Sequence, residues 1–317
     1  MKSLYYVSTI IRCYRHVIDA WLADGVARTA VPLCFWISGY LYFLHAPRLS
    51  AADYAGKLWR RARTLGVPYV AWNAVAVAVG YVCYATLYHV RPPMLHWSAA
   101  QWLSVWWNYR GGMPYDYPLW YVRNLMLMVA AAPAVALALR RRPGLVVGAL
   151  AALWLWRGTN EWATLCFFAA GAAQALHPTG CTRGLSRYAA VCAAGYAVVC
   201  ALMAADVPGP WPPAACRGLT LWGMAAVMAL ALRCGARLSP RAGAGLARAS
   251  FWLYAAHAVV LAPVRHLLLR HVHPASGAGL VATYVALVIL TVGLTQALYA
   301  LTSRMLPRLA NWLCGSR

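Results

Sequence analysis

Leu33-Cys34-Phe35-Trp36-Ile37-Ser38-Gly39-Tyr40-Leu41-Tyr42-Phe43 runs without a charge, and Lys57-Leu58-Trp59-Arg60-Arg61-Ala62-Arg63 follows it closely. Val67-Pro68-Tyr69-Val70-Ala71-Trp72-Asn73 then opens a second apolar run. An apolar helix, a compact basic patch and another apolar helix make a place where a water-soluble polyanion could meet a catalytic group held inside a membrane.

The rest of the 317 residues has the same character. The chain is 63% hydrophobic and only 11% charged, with a mean hydropathy of +0.58. A water-soluble domain of this length needs more charge to cover its surface. Uncharged stretches occupy residues 29–47, 64–90, 188–205 and 274–303, each long enough to cross about 30 Å of hydrocarbon as a helix. Arg12, Arg15 and Asp19 interrupt the first apolar region, so a cleaved signal is not expected there.

These features predict an all-α, polytopic membrane protein, a single transmembrane domain over residues 1–317. Ten spans are expected, near residues 4–23, 29–47, 64–88, 119–139, 143–157, 161–177, 187–205, 215–232, 249–269 and 278–302. With both termini cytoplasmic, 18 basic residues fall inside and 7 outside, while Arg12, Arg15 and Arg123 lie within spans. That imbalance is the one expected of short cytoplasmic loops.

The net charge of +22 is therefore read as loop topology and contact with anionic headgroups, not as nucleic-acid binding. Only the cluster at 57–63 is dense enough to suggest a bound anion. The ten cysteines include no C-x-x-C pair and mostly lie within spans, where cysteine acts as a small apolar residue. Neither a metal site nor a disulfide framework is inferred. Walker, G-x-S-x-G and H-E-x-x-H sequences are missing, which argues against ATPase and hydrolase classes.

The longest segment between spans, residues 89–118, carries Trp97, Trp102, Trp106, Trp107, Tyr109, Tyr115 and Tyr117. Such a segment reads either as an interfacial helix with a turn or as an aromatic platform for a sugar ring at the outer mouth of a site. Within the first span Arg12, His16 and Asp19 share one helical face. Three ionisable groups on one face demand mutual pairing or a wet cavity. His16 is then a candidate proton carrier with Asp19 to orient it; a surface-lying amphipathic helix is the alternative. The ninth span repeats that spacing with Ser250, Tyr254 and His257, and a hydrogen-bonded interhelical cluster is the preferred account of it. Trp120, Tyr121 and Asn124 open the fourth span, and Glu161 opens the sixth. Glu161 is one of only six acids, with Asp19, Asp24, Asp53, Asp116 and Asp206.

Taken in order, several pieces resemble the acyltransferase-3 family of bacterial integral-membrane O-acyltransferases, in particular its exopolysaccharide-modifying branch. They are Val31 to Tyr40, Arg60-Arg61-Ala62-Arg63 with Pro68-Tyr69 and Trp72-Asn73, Pro118-Leu119-Trp120-Tyr121, Phe167-Phe168-Ala169-Ala170-Gly171, and Ser250 to His257. The resemblance runs from about residue 14 to residue 302. It implies ten transmembrane helices in the bacterial cytoplasmic (inner) membrane. The implied reaction moves an acyl group, usually acetyl, from cytoplasmic acyl-CoA as co-substrate to a carbohydrate hydroxyl. His16 matches the family's catalytic histidine, while Arg60 and Arg63 match its R-x-x-R pair. Arg61 and Lys57 would assist them in holding coenzyme A phosphates. Trp120, Tyr121, Asn124, Glu161, Tyr254 and His257 are the candidates for the acceptor side.

Two departures stand out. The family places an arginine eleven positions before the histidine, where this chain has Tyr5; an upstream start, replacement by Arg12 or an impaired chain would each account for it. Asn124 stands where relatives often carry aspartate. A glycan transporter and a structural subunit of a polysaccharide assembly remain as alternative functions. No permanently bound cofactor is expected.

Overall fold

A computed structural model describes residues 27–44, 50–109, 111–178, 185–204, 212–234, 240–274 and 276–315. The first expected span, with His16 and Asp19, lies outside the described residues. The described chain is built of helices and turns, with no β-strand among the described residues. Its main helices are Ala30–Leu44, Ala51–Arg61, Val67–Val82, Trp120–Leu139, Pro143–Arg157, Asn160–Leu176, Ala189–Ala204, Pro213–Cys234, Pro240–His271 and Gly277–Met305.

Five helical runs among the described residues are long and apolar enough to cross a membrane: Ala51–Leu87, Tyr117–Leu139, Pro213–Arg233, Arg248–His271 and Gly277–Met305. Most of Gly277–Met305 faces outward with aliphatic side chains such as Ile289, Leu290 and Leu301 exposed, the pattern of a lipid-facing helix. The chain is an integral membrane protein. Helices Ala30–Leu44 and Pro143–Arg157, each of 15 residues, and the apolar stretch Ala189–Leu202 are shorter. Fifteen residues rise about 22 Å, less than the hydrocarbon thickness.

The basic patch is helical rather than looped. Ser50 caps the helix Ala51–Arg61, its Oγ accepting from the Asp53 amide (3.1 Å) and donating to Asp53 Oδ2 (2.6 Å). The rod then continues through a π-helical turn at Ala62–Gly66 into Val67–Val82. Pro68 explains the turn: it has no amide to offer the Thr64 carbonyl, and its ring would crowd that carbonyl in a regular helix.

The chain folds as two compact units, Met1–Ala55 with Leu127–Leu238, and Gly56–Met126 with Ser239–Arg317. In the first unit, Ala30–Leu44 packs on Asn160–Leu176 at very close range. A Cβ on Gly171 would fall 2.8 Å from the Trp36 carbonyl carbon and from the Tyr40 amide nitrogen, and one on Gly39 would meet Phe168 and Ala172 backbone atoms. Small residues that let backbones touch are how membrane helices gain packing energy when lipid is as apolar as they are. Phe35, Phe43 and Phe168 close the seam in full burial. Trp154 meets Phe167 edge-on at 4.9 Å and joins Pro143–Arg157 to the pair.

In the second unit Pro240–His271 packs on Gly277–Met305. The short terminal helix Pro307–Leu313 folds back on Val67–Val82, where Trp72 Nε1 donates to the Leu313 carbonyl at 3.1 Å. Trp72 also meets Trp252 edge-on at 5.0 Å. Gly315, at φ 73°, approaches the Thr64 carbonyl; a Cβ there would lie 3.1 Å from the Thr64 carbonyl carbon and 3.3 Å from Pro68 Cγ.

Candidate functional site

The aromatic segment after Leu87 forms a packed cap in the second unit. Ser98 and Gln101 make a reciprocal capping box that starts the short helix Ala99–Ser104. The chain then reverses, with the Tyr109 amide donating to the Met113 carbonyl (2.7 Å) and the Tyr115 amide to the Val105 carbonyl (2.8 Å). Trp97, Tyr109 and Tyr115 cluster with ring centroids 4.8–5.8 Å apart over buried Val77, Met94 and Val105. Trp97, Tyr109 and Tyr115 thus pack on one another, while Trp102, Trp107 and Tyr117 stay exposed.

Polar side chains from the apolar helices hold this cap. Arg123 is buried, and its Nη1 donates to the carbonyls of Trp107 (2.5 Å) and Gly112 (2.7 Å). Its Nε and Nη2 both donate to Asn124 Oδ1, at 3.2 and 3.1 Å, and its guanidinium lies over the Trp107 ring at 5.3 Å. Asn73 donates from Nδ2 to the Tyr69 carbonyl (2.9 Å), and its Oδ1 accepts from the Asp116 amide (3.0 Å). The hydroxyls of Tyr69 and Tyr254 donate to the Trp106 and Pro118 carbonyls. Irregular backbone packed against apolar helices is tolerated because these donors and acceptors satisfy it.

Beneath the cap lies a cavity of about 500 Å³. Asp116 lines it, together with Tyr84, Tyr88, Tyr115, Tyr117 and Arg265. Asp116 is 2% exposed, and among the described residues neither carboxylate oxygen has a hydrogen-bond partner. Burial alone pushes its carboxyl up to about 8, because a desolvated charge is disfavoured without a compensating partner. At neutral pH Asp116 is therefore held mainly as the acid.

The second unit carries most of the residues expected from sequence. Arg60 and Arg61 are exposed at the end of Ala51–Arg61 and Arg63 is exposed on the following π-turn; Arg60 Nε donates to the Gly56 carbonyl, at 3.4 Å. Tyr121, Tyr254 and His257 do come together: the Tyr121 and Tyr254 rings lie 6.0 Å apart, and His257 is 6.5 Å from both Tyr254 and Tyr117. His257 Nδ1 faces the carbonyls of Tyr254 (2.7 Å) and Leu253 (3.1 Å). Carbonyls only accept, so Nδ1 carries the proton and Nε2 is left as the basic nitrogen. Trp120 is half-buried at the start of its helix Trp120–Leu139. Asn124 has its side-chain oxygen committed to Arg123. Glu161 belongs to the first unit, exposed in the first turn of Asn160–Leu176.

Asp116 and Arg265 are not singled out by sequence reasoning. Acid scarcity marks Glu161, and the same scarcity applies to Asp116. No helical spacing accompanies Asp116, because it sits in Pro114-Tyr115-Asp116-Tyr117-Pro118 and reaches its cavity through the fold of the cap.

A family model described as an acyltransferase domain matches residues 5–300. The succinoglycan biosynthesis protein ExoH of Rhizobium meliloti (strain 1021) is 29% identical over 253 residues, which is 76% of this chain and 67% of that protein. No solved structure matches the chain.

Proposed function

The chain belongs to the acyltransferase-3 family, and from that premise we propose that it acylates a hydroxyl of a cell-surface or exported polysaccharide, using acetyl-CoA or another acyl-CoA from the cytoplasm. The observation that carries the reading is the family match, which takes in His16, Arg60 and Arg63 together. The likeness to a succinoglycan biosynthesis protein supports a polysaccharide as acceptor. In this reading residues 1–317 act as one domain with ten membrane crossings, both termini cytoplasmic, in the bacterial inner membrane.

Arg60 and Arg63, with Arg61 beside them, hold the coenzyme A phosphates. Their guanidinium forks suit phosphate oxygens, and their exposure leaves them accessible to a soluble polyanion. His16, oriented by Asp19, takes the proton of the acceptor hydroxyl as its oxygen attacks the thioester carbonyl. The carbon–sulfur bond then breaks and the coenzyme A thiolate leaves, taking that proton to become the free thiol. General-base help of this kind contributes about 10²–10⁴-fold. Trp120, Tyr121, Tyr254 and His257 line the approach of the acceptor.

Calorimetric titration of acetyl-CoA into the detergent-purified protein, beside the Arg60→Ala/Arg63→Ala double variant, tests the donor side without knowledge of the acceptor. Saturable binding that weakens at least tenfold in the variant is expected. A folded wild type that binds no acetyl-CoA refutes the donor assignment.

A further inference from the structure

Burying a carboxyl with neither oxygen hydrogen-bonded is costly, and native proteins rarely leave such a group without a purpose. Asp116 is such a group, and it lines a cavity rather than packed protein. The cavity, about 500 Å³, falls within the range of about 300–1,000 Å³ typical of small-molecule sites. Its walls indicate the class of occupant. Tyrosine rings present flat apolar faces, Asp116 presents unused acceptors, and Arg265 presents donors.

A pyranose ring suits that combination. Its C–H face packs on aromatic rings, its hydroxyl protons need acceptors, and its oxygens need donors. Donation from hydroxyls also favours the ionised carboxylate, which burial alone opposes. A cation fits less well. Among the described residues Asp116 is the only acid lining the cavity, and no cluster of three or more potential metal ligands occurs. The backbone that carries the carboxyl is held in place: prolines lie two residues away on either side, and the Asp116 amide is tied to Asn73.

We propose that this cavity is the acceptor-sugar chamber of the transferase, in which Asp116 accepts hydrogen bonds from pyranose hydroxyls and Arg265 donates to the sugar oxygens. The assignment rests on the acyl-transfer reading above, and it identifies the acceptor-binding carboxylate as Asp116.

The test is saturation-transfer difference NMR on the detergent-solubilised full chain, with methyl β-glucopyranoside and methyl β-galactopyranoside titrated as probes. Acetyl-CoA binding is measured on the same samples. At least one probe binds the wild type, and Asp116→Asn, which keeps the shape and replaces one carboxyl oxygen with an amide donor, weakens it at least fivefold with acetyl-CoA affinity unchanged. Equal sugar binding by wild type and variant overturns the role of Asp116. No sugar binding by the wild type overturns the chamber. Sugar binding lost in the variant, from a wild type that binds no acetyl-CoA, supports the chamber and removes the donor reading.

Discussion

Replacing Asp116 by asparagine should change how stability depends on pH, with a size set by the buried carboxyl. The ordinary carboxyl of the unfolded chain ionises near 3.8, while burial in the folded protein raises this to about 8. The folded state binds the extra proton, so its advantage is full below about pH 4 and is lost as pH rises towards 8. Each pH unit in that window removes about 1.4 kcal/mol, and between pH 5 and 8 the loss is about 4 kcal/mol. Asp116→Asn carries no such proton. Its melting temperature relative to wild type should therefore climb steadily with pH, by on the order of 10 °C from about pH 5 to 8. Tryptophan-monitored thermal unfolding of both proteins in the same detergent at several pH values reads the effect, and other titrating groups cancel in the difference. A difference constant within about 1 °C across that range refutes the reasoning, because it means that the carboxyl is solvated or paired and ionises normally.

Gly171→Leu forces a side chain into the Trp36 and Tyr40 backbone; a loss of about 3 kcal/mol or more is expected, read as reduced yield of folded protein and a lower melting temperature. Gly148→Ala in the same unit meets no atom within 4 Å and should leave stability unchanged or raise it by about 0.5–1 kcal/mol. Arg123→Met strands the Trp107 and Gly112 carbonyls and Asn124. Limited proteolysis should then cut within residues 104–117, where wild type resists, with stability down by about 3 kcal/mol. Tyr254→Phe removes the donor to the Pro118 carbonyl and should cost about 1–3 kcal/mol, with faster amide exchange at residues 117–119.

Much of this protein is legible without coordinates. Hydropathy and the run lengths establish a helical membrane protein, because a bilayer admits few other solutions for an apolar chain. The motif pieces point to the family, and the family match bears that out. The helix Pro143–Arg157 has the bounds expected of the fifth span, yet at 15 residues it is shorter than the five runs long enough to cross a membrane. The rod from Ala51 to Leu87 departs from expectation: a span is expected over residues 64–88, but the helix already begins at Ala51 and runs through the π-turn before Pro68.

What the motif residues do locally is not legible from their order along the chain. Gly39 and Gly171 matter because two backbones meet where they stand, a contact between segments far apart in sequence. Tyr69, Trp72, Asn73 and Tyr254 belong to motif pieces, yet their polar atoms hold the cap and the terminal helix in place. Asn124 balances Arg123. The isolated carboxyl of Asp116, by contrast, carries no spacing signal at all. Residue type and periodicity decide which segments leave water, since that depends on local composition. Which polar group is left unpaired in a cavity depends on where every other donor goes, and only the tertiary fold decides that.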